Sequence, residues 1–288
     1  MSPISRRTVT TQVGRGINNS EGFTMLTSMR GLLAATLLSG SSLAAMPALA
    51  DQASPPSDIT ITGSASIVSQ YRFRGLAQSD NKPAVQASIT LKHKSGFYIS
   101  TWGSSTSGDF SATNSPIQPG GTEIDVYGGY THGFGAVTVD VGGYGYIYPN
   151  ATINNYYEIY GSLATTLGPV TAKAGINYAP GQNYFKDYAV TNHNTYVFGE
   201  LSGGIPGVPL TLHGHVGYTD GGLRYLKNYV DYTVGASYTW KMLTLDASLV
   251  GTNVSDRDVR SATACLPSCS YWKRPAKLVG VVSLTASF

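Results

Sequence analysis

Eleven charged residues fall on the polar side of segments that alternate apolar and polar positions: Arg72, Arg74, Lys92, Glu123, Asp125, Asp140, Glu158, Lys173, Glu200, Asp231 and Asp246. On the inner wall of a closed sheet, rings of such side chains select ions by their field and by the pore width they leave. The same charges can instead pair across the interior and fill it, as in small barrels. Both readings stay open from the residues alone. Carboxylates outnumber basic groups in this set, which predicts cation preference if the interior conducts.

His213 and His215 lie two apart on the same polar face, and two imidazoles can bind a transition metal. No third ligand stands near them in the chain, so no metal or other cofactor is expected. Hydrolytic chemistry would need a histidine and a nucleophilic serine, with an orienting group, on an outward face. The inward pair does not supply that, and His93 stands alone beside a short turn, so no enzyme is expected. Cys265 and Cys269 bracket a short stretch of one long loop, where a disulfide is the expected pairing in an exported chain. Tyr271, Trp272, Lys273 and Arg274 follow, either as a contact for a ligand or lipopolysaccharide or as an ordinary solvated loop.

The elements that must carry these residues are strands. The last stretch, Ala276 to Phe288, puts Leu278, Gly280, Val282, Leu284, Ala286 and Phe288 on one face and ends on an aromatic. Period-two alternation marks a strand with one apolar face. The same rule reads from Ile59–Arg74 through Pro83–Lys94, Gly96–Ser104, Thr122–Thr131, Ala136–Tyr148 and Asn155–Leu167. It continues through Val170–Ala179, Asn194–Ser202, Leu210–Thr219, Tyr229–Trp240 and Leu243–Asn253, for twelve segments with the closing strand. Each is roughly ten residues, the length of a tilted strand that crosses a bilayer.

Connections alternate as well. Short turns fall at 94–96, 132–135, 168–169, 203–209 and 241–242, and longer polar loops at 75–82, 105–121, 149–154, 180–193, 220–228 and 254–275. An even strand number with this parity is the up-and-down organisation of outer-membrane barrels. Aromatics support it. Tyr71, Phe73, Tyr157, Tyr178, Tyr218 and Tyr232 gather beside the long loops, and Phe97, Tyr130, Tyr238, Trp240 and Phe288 beside the short turns. Amphipathic rings prefer the headgroup level of a bilayer. Gly128-Gly129 and Gly142-Gly143 lie within strands, where glycine marks kinks or close packing. The expected fold is an all-β, transmembrane, antiparallel up-and-down barrel of twelve strands.

Residues 1–50 read as a leader. Arg30 precedes the apolar run Gly31–Ser39, and Ala48-Leu49-Ala50 supplies a small-residue cleavage site before Asp51. Residues 1–24 do not resemble a signal n-region, so Met25 or Met29 is an alternative start. Without Arg6, Arg7, Arg15, Arg30 and Glu21, the 19 basic and 16 acidic side chains balance. A nucleic-acid partner is therefore not expected. Charged residues make up 12% of the chain, well below the roughly 25% of soluble domains.

The motifs Tyr71-Arg-Phe-Arg-Gly75, Ser95-Gly-Phe-Tyr98 with Trp102, Glu123-Ile-Asp-Val-Tyr-Gly-Gly-Tyr130 and Tyr156-Tyr-Glu-Ile-Tyr-Gly161 resemble the TorF family of porins of Gram-negative bacteria, in that family's order, from about Ile59 to Phe288. The loop 254–275 and the placing of Gly280 depart from the pattern. The resemblance implies an outer-membrane location and a channel function, with no catalytic residues to carry over. The expectation is passive diffusion of small hydrophilic solutes or ions. The alternative is a closed barrel that binds ligands at the surface or serves a structural role. Expected partners are outer-membrane lipids, lipopolysaccharide, the barrel assembly machinery and the solutes themselves, with a homo-oligomer left open.

Overall fold

The structure, a computed structural model, describes residues 58–107, 121–188, 191–263 and 270–288. Twelve strands form one closed antiparallel barrel: β1 (Ile59–Val68), β4 (Ala84–His93), β5 (Phe97–Ser105), β6 (Thr122–Phe134), β7 (Val137–Ile147), β8 (Tyr156–Leu167), β9 (Val170–Ala179), β10 (Asn194–Gly204), β11 (Leu210–Gly221), β12 (Tyr229–Trp240), β13 (Leu243–Thr252) and β14 (Val279–Ser287). Chain neighbours pair throughout, and β14 closes on β1 with Ile67 opposite Leu284 and Ser64 opposite Ser287. Closure leaves no unpaired edge, which is what permits an outer surface as apolar as this one.

Facing follows the alternation. Ile61, Val85, Leu163, Leu201, Val234 and Val282 are exposed on the outer wall, while Ser100, Tyr127, Glu158, Ser162 and Asn177 are buried inside. Phe97, Tyr238, Trp240 and Phe288 ring the short-turn end, and Tyr157, Tyr178, Tyr218 and Tyr232 the long-loop end. Among the described long connections, one carries helix α1 (Asn183–Tyr188), and another α2 (Asp256–Thr263) and α3 (Ser270–Lys273). Cys265 and Cys269, with the pairing expected of them, lie outside the described residues, as does the leader.

The first segment differs from the expected strand. β1 stops at Val68 rather than continuing to Arg74. The Ser69 amide still donates to the Val282 carbonyl (2.8 Å), but the Val282 amide is taken by the Ser69 hydroxyl (2.9 Å), and the Gln70 side chain donates to the Gly280 carbonyl (3.2 Å). Side chains thus replace the main chain on the β14 ladder, and the backbone is released to turn inward.

Beyond Gln70 the chain forms a small hairpin, β2 (Arg72–Phe73) and β3 (Leu76–Ala77). Arg74 and Gly75 both have positive φ (46° and 78°), as the two central residues of a type I′ hairpin turn require. The Gln78 amide donates to the Tyr71 carbonyl (2.8 Å) and the Tyr71 amide to the Ser79 hydroxyl (2.8 Å), which closes the neck. Residues 71–79 are buried apart from the half-buried Phe73. Tyr71 and Phe73 are therefore inside the barrel, a correction to their expected place in the aromatic ring outside it. Their alternation with Arg72 and Arg74 belongs to the hairpin, not to a wall strand.

Candidate functional site

The hairpin crosses the lumen at its long-loop end. On one side the Tyr71 ring packs on Trp102 of β5 (5.3 Å between centroids) and its hydroxyl donates to Glu123 of β6 (3.2 Å). On the far side Gly75 lies against Gly251 and Thr252 of β13 and Asp231 of β12. Leu76 joins Tyr225, Tyr229, Val254, Val259 and Ala276 in an apolar cluster that roofs this end. Arg274, itself exposed, pairs with Asp80 (3.1 Å), Lys273 bonds the Val254 carbonyl, and Trp272 packs on the cluster.

Arg74 and Arg72 take different partners. Arg74 Nη2 donates to both oxygens of Glu158 on β8 (2.9 and 2.7 Å), and both side chains are essentially unexposed. Its guanidinium lies 4.1 Å from the ring centroid of Tyr196 on β10 and 4.8 Å from that of Phe73. Glu158 is held in turn by Tyr146 (3.1 Å) and Asn177 (3.1 Å), both donating to Oε2. Arg72 binds no carboxylate among the described residues. It donates to Gln70 Oε1, to Asn81 Oδ1 (2.5 Å) and to the carbonyls of Gly75 (3.1 Å) and Pro275 (2.5 Å), as a brace within the hairpin. Neither arginine belongs to the barrel wall, since the chain leaves the wall at Val68.

The nine other expected charges do stand on the inner wall. Glu123 and Asp125, two apart on β6, accept from Tyr71 and Tyr144 (2.8 Å), and each keeps one buried oxygen without a donor among the described residues. Asp140 accepts from Tyr98 (2.9 Å), whose hydroxyl also meets that of Tyr160. On the opposite wall His215 sits between Asp231 (3.1 Å) and Glu200 (3.3 Å), and Lys173 lies 4.0 Å from Glu200. His213 pairs with Asp246 (2.7 Å), so the two histidines serve separate carboxylates. Among the described residues no group of three or more such ligands has metal-binding geometry. Toward the short turns Thr62, Lys92, Thr138, Thr171 and Ser202 keep partial exposure, so solvent reaches that half of the lumen.

A run of closely packed rings, some stacked and some tilted, was not read from the sequence. Tyr127, Tyr144, Tyr146 and Tyr156 follow one another at 4.6, 4.5 and 4.2 Å between centroids, and Tyr184 on α1 extends the run at 5.1 Å. Elsewhere on the inner wall, glycines leave the room that other rings fill. A methyl on Gly142 would strike Tyr160, and one on Gly217 would overlap Tyr196. Gly217→Ala is thus expected to push the Tyr196 ring off Arg74 and to destabilise the barrel by about 1–3 kcal/mol, read from its unfolding midpoint in urea.

The sequence family described as bacterial protein of unknown function (Gcw_chp) matches residues 52–281. No curated protein matches the chain in sequence. Among solved structures, the KdgM porin has a TM-score of 0.51 at 12% identity, over 79% of this chain and 99% of that one. The COG4313 outer membrane channel from Pseudomonas putida F1 gives 0.46 at 13% identity, over 84% and 98%. At 12% identity the likeness to KdgM is one of fold. The chain belongs to the Gcw_chp family.

Proposed function

We propose that the protein is an outer-membrane channel for passive diffusion of small hydrophilic solutes or ions, and that the hairpin is its constriction. One observation carries this reading: a closed barrel with an aliphatic outer belt, aromatic ends and a polar, charged inner wall. A bilayer matches that outer surface, and a water-soluble role would leave it unexplained. The resemblance of its motifs to those of TorF-type porins agrees with it, and so does the leader read in residues 1–50. On this reading the short turns face the periplasm and the long loops, with lipopolysaccharide around them, face outside.

The facing is tested by Val234→Lys, at the middle of β12 on the outer wall. A cation at the bilayer midplane costs roughly 2–4 kcal/mol, so folding into liposomes should weaken by that amount. Folding as efficient as the wild type's would contradict the assignment.

Function is tested in a planar bilayer under a salt gradient. The excess of carboxylates over basic groups on the inner wall predicts a cation-selective reversal potential. The double variant Glu123→Gln/Asp125→Asn should move that potential toward zero. A second reading is favoured by the hairpin itself, which fills the long-loop half of the lumen and cancels the Glu158 charge. On that reading the barrel is closed, with its loops as a surface binding or structural element. Well-inserted protein that never conducts would establish it.

A further inference from the structure

Arg74 occupies its pocket as a ligand would. Its guanidinium lies against the rings of Tyr196 and Phe73, and Glu158 grips it at the edge. The carboxylate is held by Tyr146 and Asn177, so it is preorganised for a planar fork of N–H donors. The fit is incomplete, however. Arg74 reaches Glu158 through Nη2 alone, and its Nε and Nη1 are buried without an acceptor among the described residues. Asp231 Oδ2, beside Gly75 at the hairpin tip, is likewise a buried acceptor without a donor. Arg74 is tethered to the hairpin, at a turn where its φ is 46°.

We propose that this pocket is a binding site for solutes bearing a guanidinium group, with Arg74 as its tethered occupant, and that such a solute competes with Arg74 for Glu158 and frees the hairpin from the lumen. A free guanidinium can turn in the pocket and present two nitrogens in parallel to Glu158, which Arg74 does not do. An ammonium group lacks both the fork and the flat face that stacks on Tyr196. The row Glu200, His215, Asp231 runs along the wall from the solvent-reached half toward Tyr196. Glu200 and Asp231 offer a cation two carboxylates on the way, with His215 held between them as a donor to both. The inference rests on the channel reading for its physiological use, whereas the site is a property of the folded chain.

The test uses the refolded protein in detergent micelles with ethylguanidinium as probe and ethylammonium as control. Hydrogen exchange is followed at the Tyr71 and Gln78 amides, both bonded within the hairpin, with β10–β11 ladder amides as the internal standard. Ethylguanidinium should accelerate hairpin exchange saturably and leave the ladder protected, while ethylammonium at equal concentration should not. Removing the internal competitor in R74A should tighten ethylguanidinium binding by about 10-fold or more, since the competent state is then always present. E158Q should abolish binding. If R74A does not fold, R74K serves instead, because it weakens the competitor and keeps the charge.

Equal effects of the two cations, acceleration without saturation, or binding that survives E158Q would overturn the proposal. The two readings separate cleanly. Saturable, Glu158-dependent binding by a protein silent in bilayers removes the channel and keeps the site. Conduction without such binding removes the site and keeps the channel.

Discussion

Gly75→Val should drive the hairpin out of the lumen while leaving the twelve wall strands paired. Gly75 has φ 78°, and a β-carbon built there would lie 2.7 Å from Thr252 Cγ2, 2.8 Å from the Gly251 carbonyl oxygen and 2.9 Å from Asp231 Cβ. A β-branched residue in the left-handed region costs about 1–3 kcal/mol, and overpacking against a wall that cannot shift adds a similar amount. Docking of the hairpin is therefore expected to weaken by about 2–6 kcal/mol. The Tyr71 and Gln78 amides, protected in the wild type by Ser79 and the Tyr71 carbonyl, should then exchange far faster than those of β10 and β11. Unchanged protection would mean that the turn tolerates the side chain and that the hairpin tip does not press tightly on β12 and β13.

The second large effect is expected at Arg74→Ala. Glu158 would remain unexposed with only Tyr146 and Asn177 to serve it. Removing one partner of a buried pair costs about 3–5 kcal/mol, because the other charge is stranded away from water. Adding Glu158→Gln should recover much of the loss, since a neutral amide in that place is far less costly to bury than a stranded carboxylate. Urea unfolding of wild type, both single variants and the double variant gives the coupling directly. Additive losses would show that the pair does not hold the hairpin in place.

These two residues also mark where the sequence could and could not be read. Alternation placed Glu158, Lys173 and Asp246 inside and Leu278, Val282 and Leu284 outside, because side-chain direction in a paired strand is a local property with period two. Parity of the connections ordered the strands, since short turns leave no other neighbour for them to pair with. Past Val68 the same alternation continues through Tyr71, Arg72, Phe73 and Arg74, yet the chain has left the wall. Periodicity records which residues share a face. It does not record whether a neighbouring strand still lies alongside, and here the Ser69 and Gln70 side chains had already taken over the β14 ladder.

The partner of Arg74 was hidden for the same reason. An arginine on the wall of β1 would have met carboxylates such as Glu123, Asp125 or Asp140, whereas one on an inward hairpin reaches across to Glu158. Gly75, directly after the strand-like segment, was the one local hint of a turn, and its φ of 78° shows that the turn uses it. The packed tyrosines were half legible. Tyr144, Tyr146, Tyr156 and Tyr160 could be assigned inward by alternation, but their contacts with one another depend on the register between strands. Register across the barrel is set by turns and wall packing together, which no single segment contains.

A channel constricted by its own inward hairpin would differ from Gly75→Val in single-channel recordings made side by side. Small or brief steps are expected from the wild type and larger, long-lived, cation-selective steps from the variant. Equal conductance in the two would contradict the hairpin as the constriction, and silence in both, with protein shown to be inserted, would contradict the channel.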